Sequence, residues 1–373
     1  MEMIEDSRIV LGKAQQVYDH MTTAPPDDGQ RTMDAWDWKP GVGLMAVWSY
    51  YQATGRAEAR EYVKSWIQDH KHKAAQLRTI NSTAPFTVLA ELLRHMPEAD
   101  EALEWGRLAH EHGQWLMQEA PRTSLGGFEH TVTEGVLFQQ QLWADTLVVG
   151  TLFLARMASL RGDAEMARES VRQVVVHLRL LQDPETGVLF HGYDCLHGNH
   201  MSAALWGRAN AWVTFGVPEI VGEVRHLTDI PDEIGERYER LVKGLLRFQT
   251  TNGMWHTVVN RPDFYLETSA SAGIAYGFLT ALRVGIIPEG DLRKRMKEAV
   301  RKSLHAVMIL VDVYGAVHGV SGGTPVLPSI EAYNAVKITP TPYGQALTLM
   351  LLSEVLRNPA AISGSASAKE VQL

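Results

Sequence analysis

The sequence predicts an all-α protein, a toroid of six helical hairpins with six helices inside and six outside. Three observations carry this expectation. Apolar residues recur at the helical period over most of the 373 residues, and strands are hard to find. The helical segments are of two kinds, amphipathic with a charged face or almost free of charge, and the two kinds alternate. The segment lengths vary too much for a regular stacked array, although periodicity alone leaves an α-solenoid open.

Taken in order, charged amphipathic helices are expected near 6–23, 57–74, 99–119, 163–182, 232–250 and 289–312. Between them lie small, apolar segments near 40–55, 85–96, 143–161, 202–215, 268–285 and 341–357. Gly55 and Gly162 supply C-terminal stops. Thr83 before Ala84 and Pro85 is an N-cap followed by an early-helix proline. The stretch Ser269 to Phe278 has almost no charge on any face, so its helix is buried all round. Arg293 to Lys302 keeps a solvent face. Alternation of these two kinds gives two concentric layers. One domain is expected over residues 1–358, with a small, polar, aperiodic tail over 359–373.

Composition excludes several functions. Hydrophobic residues make up 45% and charged residues 21%, an ordinary balance for a globular chain. A single Cys excludes an internal disulfide framework and Cys-rich metal modules. A net charge of -8 argues against nucleic acid, which calls for a basic surface. Residues 1–16 carry acids where a signal peptide needs bases, and no apolar run is long enough to span a bilayer. A cytoplasmic protein without a membrane partner is therefore expected. The ten Trp and fifteen His are the unusual counts.

Many of those residues fall in the loops before the inner helices. The loops contain Trp36-Asp-Trp-Lys-Pro-Gly41, Thr79-Ile-Asn-Ser-Thr-Ala-Pro85, Gly126-Gly-Phe-Glu-His130, His191-Gly-Tyr-Asp194, Gly253-Met-Trp-His256 and His318-Gly-Val-Ser-Gly-Gly-Thr324. In a toroid all six open at one end and make a cleft. His191, Asp194, Cys195, His197 and His200 are metal-ligand types in a dense run, but their spacing matches no compact zinc signature. Phosphate-loop, dinucleotide and nucleophile-elbow motifs do not occur.

Five blocks resemble the signatures of unsaturated glucuronyl and rhamnogalacturonyl hydrolases, glycoside hydrolase families 88 and 105, and are closer to family 105. They are Asp183-Pro-Glu-Thr-Gly-Val-Leu-Phe-His-Gly-Tyr-Asp194, Trp206-Gly-Arg-Ala-Asn-Ala-Trp212, Leu266-Glu-Thr-Ser-Ala-Ser-Ala272, Gly319-Val-Ser-Gly-Gly-Thr324 and Thr341-Pro-Tyr-Gly-Gln345. They run in the family's order, and the resemblance spans roughly Trp36 to Glu354. It implies an (α/α)6 barrel, a metal-free and cofactor-free reaction, and a substrate class. That class is small anionic oligosaccharides with a 4,5-unsaturated uronic acid at the non-reducing end.

Such a sugar is a vinyl ether. Protonation at C4 puts positive charge on C5, shared with the ring oxygen. Water adds at C5, the hemiketal opens, and the glycosidic bond falls apart. One carboxyl group can give the first proton and take the second. Ordinary glycosidases use two carboxyl groups.

Asp145, in Gln141-Leu-Trp-Ala-Asp-Thr-Leu147, is the candidate. Leu142, Trp143 and Leu147 are expected to raise its pKa, while a helix N-terminus pulls the other way. The residues alone leave a helix-capping role equally open; the resemblance matches Asp145 to the family's catalytic aspartate. The family often has a second aspartate where this chain has Asn81, which cannot take a proton. Arg208 is the expected partner of the substrate's carboxylate or hydroxyls, the alternative being a buried ion pair. Trp38, Trp206, Trp212 and Trp255 are candidate stacking platforms for sugar faces. His130 and His191 resemble pocket-lining positions, and Gly322 and Gly323 would let backbone approach a ligand. Glu267 and Asp194 are expected to anchor loops. Rival functions are a sugar epimerase or isomerase, a conventional glycosidase, and a non-catalytic sugar-binding protein.

Overall fold

A computed structural model describes residues 7–23, 33–98 and 100–361. The inner helices are α2 (Trp38–Thr54), α4 (Ala84–His95), α6 (Leu152–Arg161), α8 (Gly207–Val224), α10 (Thr268–Val284) and α13 (Pro342–Arg357). Each packs on the next, and α13 packs back on α2, so the ring closes. That closure decides between barrel and solenoid, because a solenoid keeps its first and last units apart. The outer layer is α1 (Ser7–Thr23), α3 (Ala57–Ala74), α5 (Ala102–Gln118), α7 (Ala164–Leu181), α9 (Asp232–Phe248) and α11 (Asp291–Ile309). The protein is an (α/α)6 barrel. No helix among the described residues is long and apolar enough to cross a membrane.

Small residues let the inner helices approach closely. A Cβ on Gly41 of α2 would stand 2.5 Å from the Ala84 Cβ of α4. One on Gly277 of α10 would stand 2.5 Å from the Thr214 carbonyl carbon of α8. Gly55 and Gly162 end α2 and α6 with φ of 70° and 67°, the left-handed stop expected of them. Trp66, Trp105 and Trp115, from outer helices, are buried between the layers.

Five local expectations change. The segment near 143–161 starts as a strand, β1 (Gln141–Trp143), continues through a π-helical turn at Leu147–Thr151, and becomes regular helix only at Leu152. The strand's partner, β2 (Gly192–Asp194), is remote in sequence, so local periodicity could not reveal it. Helix α8 starts later than expected and runs past residue 215 through Pro218 to Val224. Pro218 has no N–H for the Thr214 carbonyl, which instead accepts the Tyr238 hydroxyl at 2.6 Å. A short helix, α12 (Ile330–Asn334), interrupts the connection before α13. His112, on a helix whose histidines looked solvated, is fully buried, stacked on Phe86 and 2.7 Å from the Thr83 hydroxyl. Thr83 thus faces His112 and makes no side-chain capping bond. Of the tail expected over 359–373, Pro359–Ala361 form a 3-10 turn, and the remainder lies outside the described residues.

Candidate active site

The loops and first turns at the starts of α2, α4, α6, α8 and α13 line a cavity of about 340 Å³, and the loop before α10 does not reach it. The cavity is the size of a small-ligand site. Trp38, Asn81, His130, Asp145, Trp206 and Arg208 line it, as expected from the sequence.

Asp145 is positioned by a β-ribbon. Antiparallel pairing sets Trp143 opposite Gly192, and the Ala144 N–H donates to the His191 carbonyl at 3.0 Å. The ribbon therefore brings Asp145 and His191 together. The His191 Nε2 lies 3.4 Å from Asp145 Oδ2, and neither atom has a hydrogen-bond partner of good geometry. The Val148 and Val149 amides both donate to the Asp145 carbonyl at 3.0 Å, so its backbone starts the helical turn. Its carboxylate faces His191.

The electrostatics reverse one expectation. Burial favours the neutral acid at Asp145, but His191, His130 and Arg208 outweigh burial and hold the carboxyl below its usual value. Burial keeps His191 below the usual imidazole value, against the opposing pull of Asp145. Burial pushes His130 down to about 4. In the free protein, Asp145 is thus an anion beside two neutral imidazoles. Trp143 stacks on His130 at 4.2 Å, and Trp206 lies 4.1 Å from His191. His130 Nδ1 is 3.0 Å from the Thr146 hydroxyl.

Arg208 does not present a free fork. Its Nη1 donates to the Ser269 hydroxyl and to both Ser321 oxygens, and its Nη2 to the Gly322 carbonyl and the Thr324 hydroxyl. Trp206 and Tyr343 flank its plane at 4.5 and 4.6 Å. Glu267 lies 3.7 Å away, so the buried-pair alternative is realised as well. The Arg208 Nε alone is unpartnered. Glu267 accepts from the Ala270 and Ser321 amides and the Ser269 hydroxyl, and anchors the loop to α10. Asp194 likewise anchors its turn through the Leu196 and His197 amides.

Two expected platforms fall elsewhere. Trp212 is fully buried against Phe215 on α8, and Trp255 is fully buried, donates to the Leu245 carbonyl and meets Phe278 edge-on. Both are core residues: a helical turn carries Trp212 away from the mouth, and its ring nitrogen bond draws Trp255 into the outer layer. Among the described residues, no cluster of three or more His, Cys, Asp or Glu is arranged to hold a metal. Within the dense run, His197 pairs with Asp194, and His200 meets the Leu180 carbonyl.

Other lining residues escaped the sequence reading. Val132, Glu134, Val136 and Phe138 come from an irregular segment with no periodic signal. Lys39 and Thr324, inside the Trp36–Gly41 and Gly319–Thr324 motifs, line the cavity as well. A Cβ on Gly323 would meet nothing within 4 Å, in keeping with its place on the cavity wall. Asp37, at the start of α2, has a carboxyl pushed up to about 6, first by burial.

A barrel whose mouth joins a half-buried carboxylate, buried histidines and aromatic walls is built as a carbohydrate-active hydrolase. The chain belongs to Glycosyl Hydrolase Family 88, whose model matches residues 13–359. It is 32% identical to the unsaturated rhamnogalacturonyl hydrolase YesR of Bacillus subtilis over 87% of this chain and 90% of that protein. A possible GH105 family member from Salmonella enterica has a crystal structure with a TM-score of 0.84 and 29% identity, covering 94% of each chain. Another from Klebsiella pneumoniae gives a TM-score of 0.85 and 28% identity, covering 94% of this chain and 93% of that one.

Proposed function

We propose that this protein removes a 4,5-unsaturated uronic acid from the non-reducing end of short, lyase-generated oligosaccharides by hydrating its C4=C5 bond. The observation that carries the reading is Asp145 on the cavity wall, backed by His191, in a chain of this family. Against the sequence expectation, His191 is buried behind Asp145 and does not line the cavity. Asp145 gives a proton to C4 and then takes one from the water that adds at C5.

A donor must first be protonated, and the free enzyme holds Asp145 as an anion. The anionic substrate supplies the change. In this reading its carboxylate takes the cationic side of the cavity, toward Lys39 and Arg208. There it offsets the positive field acting on Asp145 and raises the carboxyl's proton affinity. Asn81 bonds a hydroxyl. Trp38, half-buried on the cavity wall and stacked on Tyr343, offers a face to the sugar ring, while Trp206 is buried against Arg208 and His191 and supports them.

A conventional glycosidase needs a second free carboxyl group. Glu267 is fully buried with its oxygens engaged, and Glu134 sits on an exposed rim. The same proposal puts the enzyme in the cytoplasm, where imported oligosaccharides would reach it; fractionation of cells tests that part. A panel of lyase-generated disaccharides tests the activity. Loss of the near-UV absorbance of the conjugated double bond with at least one member is expected. Release of intact unsaturated sugar, or no reaction with any member, would overturn the proposal.

A further inference from the structure

We propose that Tyr333 is a positioning residue that fixes the His191 tautomer and so keeps the transferable proton on Asp145. The inference rests on the reading of Asp145 as proton donor. Tyr333 lies on α12, the helix that no sequence signal announced, and is fully buried. Its hydroxyl oxygen is 2.8 Å from His191 Nδ1 and accepts the Leu327 backbone N–H at 3.2 Å. A backbone amide can only donate, so it occupies one lone pair of the phenol oxygen, and the phenolic hydrogen is directed at Nδ1, with the Ser202 hydroxyl as its competing neighbour. A neutral imidazole that accepts at Nδ1 carries its hydrogen on Nε2. Nε2 is the atom 3.4 Å from Asp145 Oδ2.

The consequence concerns where one added proton resides. The Asp145–His191 pair can hold it as carboxylate with imidazolium or as carboxylic acid with neutral imidazole. Only in the second form does Asp145, the member of the pair on the cavity wall, hold the proton that goes to carbon. Imidazolium formation requires a hydrogen on Nδ1, where the Tyr333 O–H already points. The other charged or titratable groups facing the pair are Arg208 and, beyond Asp145, His130. Arg208 also disfavours imidazolium, and burial holds His191 low. Burial raises the Tyr333 phenol to about 12, so it stays a donor at neutral pH. In the first step the Asp145 O–H bond breaks as C4–H forms. In the second, a water O–H bond breaks as its oxygen joins C5, and the proton returns to the carboxylate. Through both steps, the His191 Nε2–H faces the carboxyl and Tyr333 caps the other nitrogen.

The test combines spectroscopy with kinetics on the full chain. Protein labelled with ¹⁵N-histidine is compared with a His191→Gln spectrum to assign the ring nitrogens of His191. The expected wild-type signature is an unprotonated Nδ1 and a protonated Nε2. In Tyr333→Phe, His191 should gain its second proton about one pH unit higher. There, kcat should fall about tenfold with KM within about twofold. A 3-fluorotyrosine at this position keeps the O–H and should restore the wild-type tautomer and kcat. A proton on Nδ1 in the wild type, or a Tyr333→Phe enzyme with unchanged titration and kcat, would overturn the inference. If Tyr333→Phe does not fold, the wild-type spectrum still decides. If no unsaturated disaccharide reacts, the functional reading fails while the tautomer stays measurable.

Discussion

The two ends of the barrel are built from the same six inner helices, yet they treat charge in opposite ways. At the mouth, where the helices start, Asp145 Oδ2, His191 Nε2 and Arg208 Nε lack partners. At the far end, Glu91, Glu219, Glu223 and Glu354 interlock with Arg94, Arg156, Arg283 and Arg357 around a cavity of about 250 Å³. Arg94, Arg283 and Arg357 stand in the last turns of α4, α10 and α13, where the helix dipole favours cations. Four acids meet four arginines, so the charges at the far end balance. Arg156 Nε and Arg357 Nε also lack a hydrogen-bond partner there, but their guanidinium groups face glutamates, whereas Asp145 and Arg208 at the mouth line a cavity that an anion can enter. Helix polarity sets the difference: converging N-termini favour an anion and converging C-termini favour arginines.

The comparison can be broken most sharply at Asp145. Asp145→Asn should fold normally and lose turnover by about a thousandfold or more, about 4 kcal/mol in the transition state. Steady-state rates and thermal melts check both halves. At the far end, Arg156→Met should do the reverse. It takes one arginine from Glu91, Glu219 and Glu223, which keep Arg94 and Arg283, and denaturant melts should show about 1–3 kcal/mol lost, with kcat of the folded enzyme unchanged.

A smaller effect comes from pH. His130 at the mouth and His177 between the layers are held near about 4, chiefly by burial. Their unfolded values lie near 6.5, so the unfolded chain binds more protons as the pH falls from about 6.5 to about 4. Their contribution to stability is complete above that window and is lost within it, by about 1.4 kcal/mol per pH unit for each histidine. Denaturation curves across the window measure the slope. The smallest effect is at Lys39, half-buried on the cavity wall. Lys39→Met should raise KM several-fold, about 1 kcal/mol, with kcat and melting temperature unchanged.

Much of this was legible in the sequence because it was local. The uncharged stretch at Ser269 and the charged one at Arg293 told the inner layer from the outer, and Gly55 and Gly162 marked helix ends. The quoted blocks located Asp145, His191 and Arg208. What escaped was set by distant partners. β1 exists because β2 pairs with it, α8 survives Pro218 because Tyr238 takes the freed carbonyl, and α12 matters through one phenol next to His191. Trp212 and Trp255 misled for the complementary reason. A tryptophan in a motif block looks the same whether it faces the cavity or the core. The Asp145 pKa direction depended on weighing burial against the His191, His130 and Arg208 side chains, a balance that only geometry supplies.

The account turns on Asp145 changing protonation when an anionic sugar enters. Isotope-edited infrared difference spectra, with the Asp145 band assigned by its loss in Asp145→Asn, read that directly. A saturated uronyl disaccharide, which has no double bond to hydrate, serves as the probe. The account predicts an ionised carboxylate in the free enzyme at neutral pH and a protonated carboxyl at saturation with the probe. A carboxylate that stays ionised in the saturated complex would contradict it.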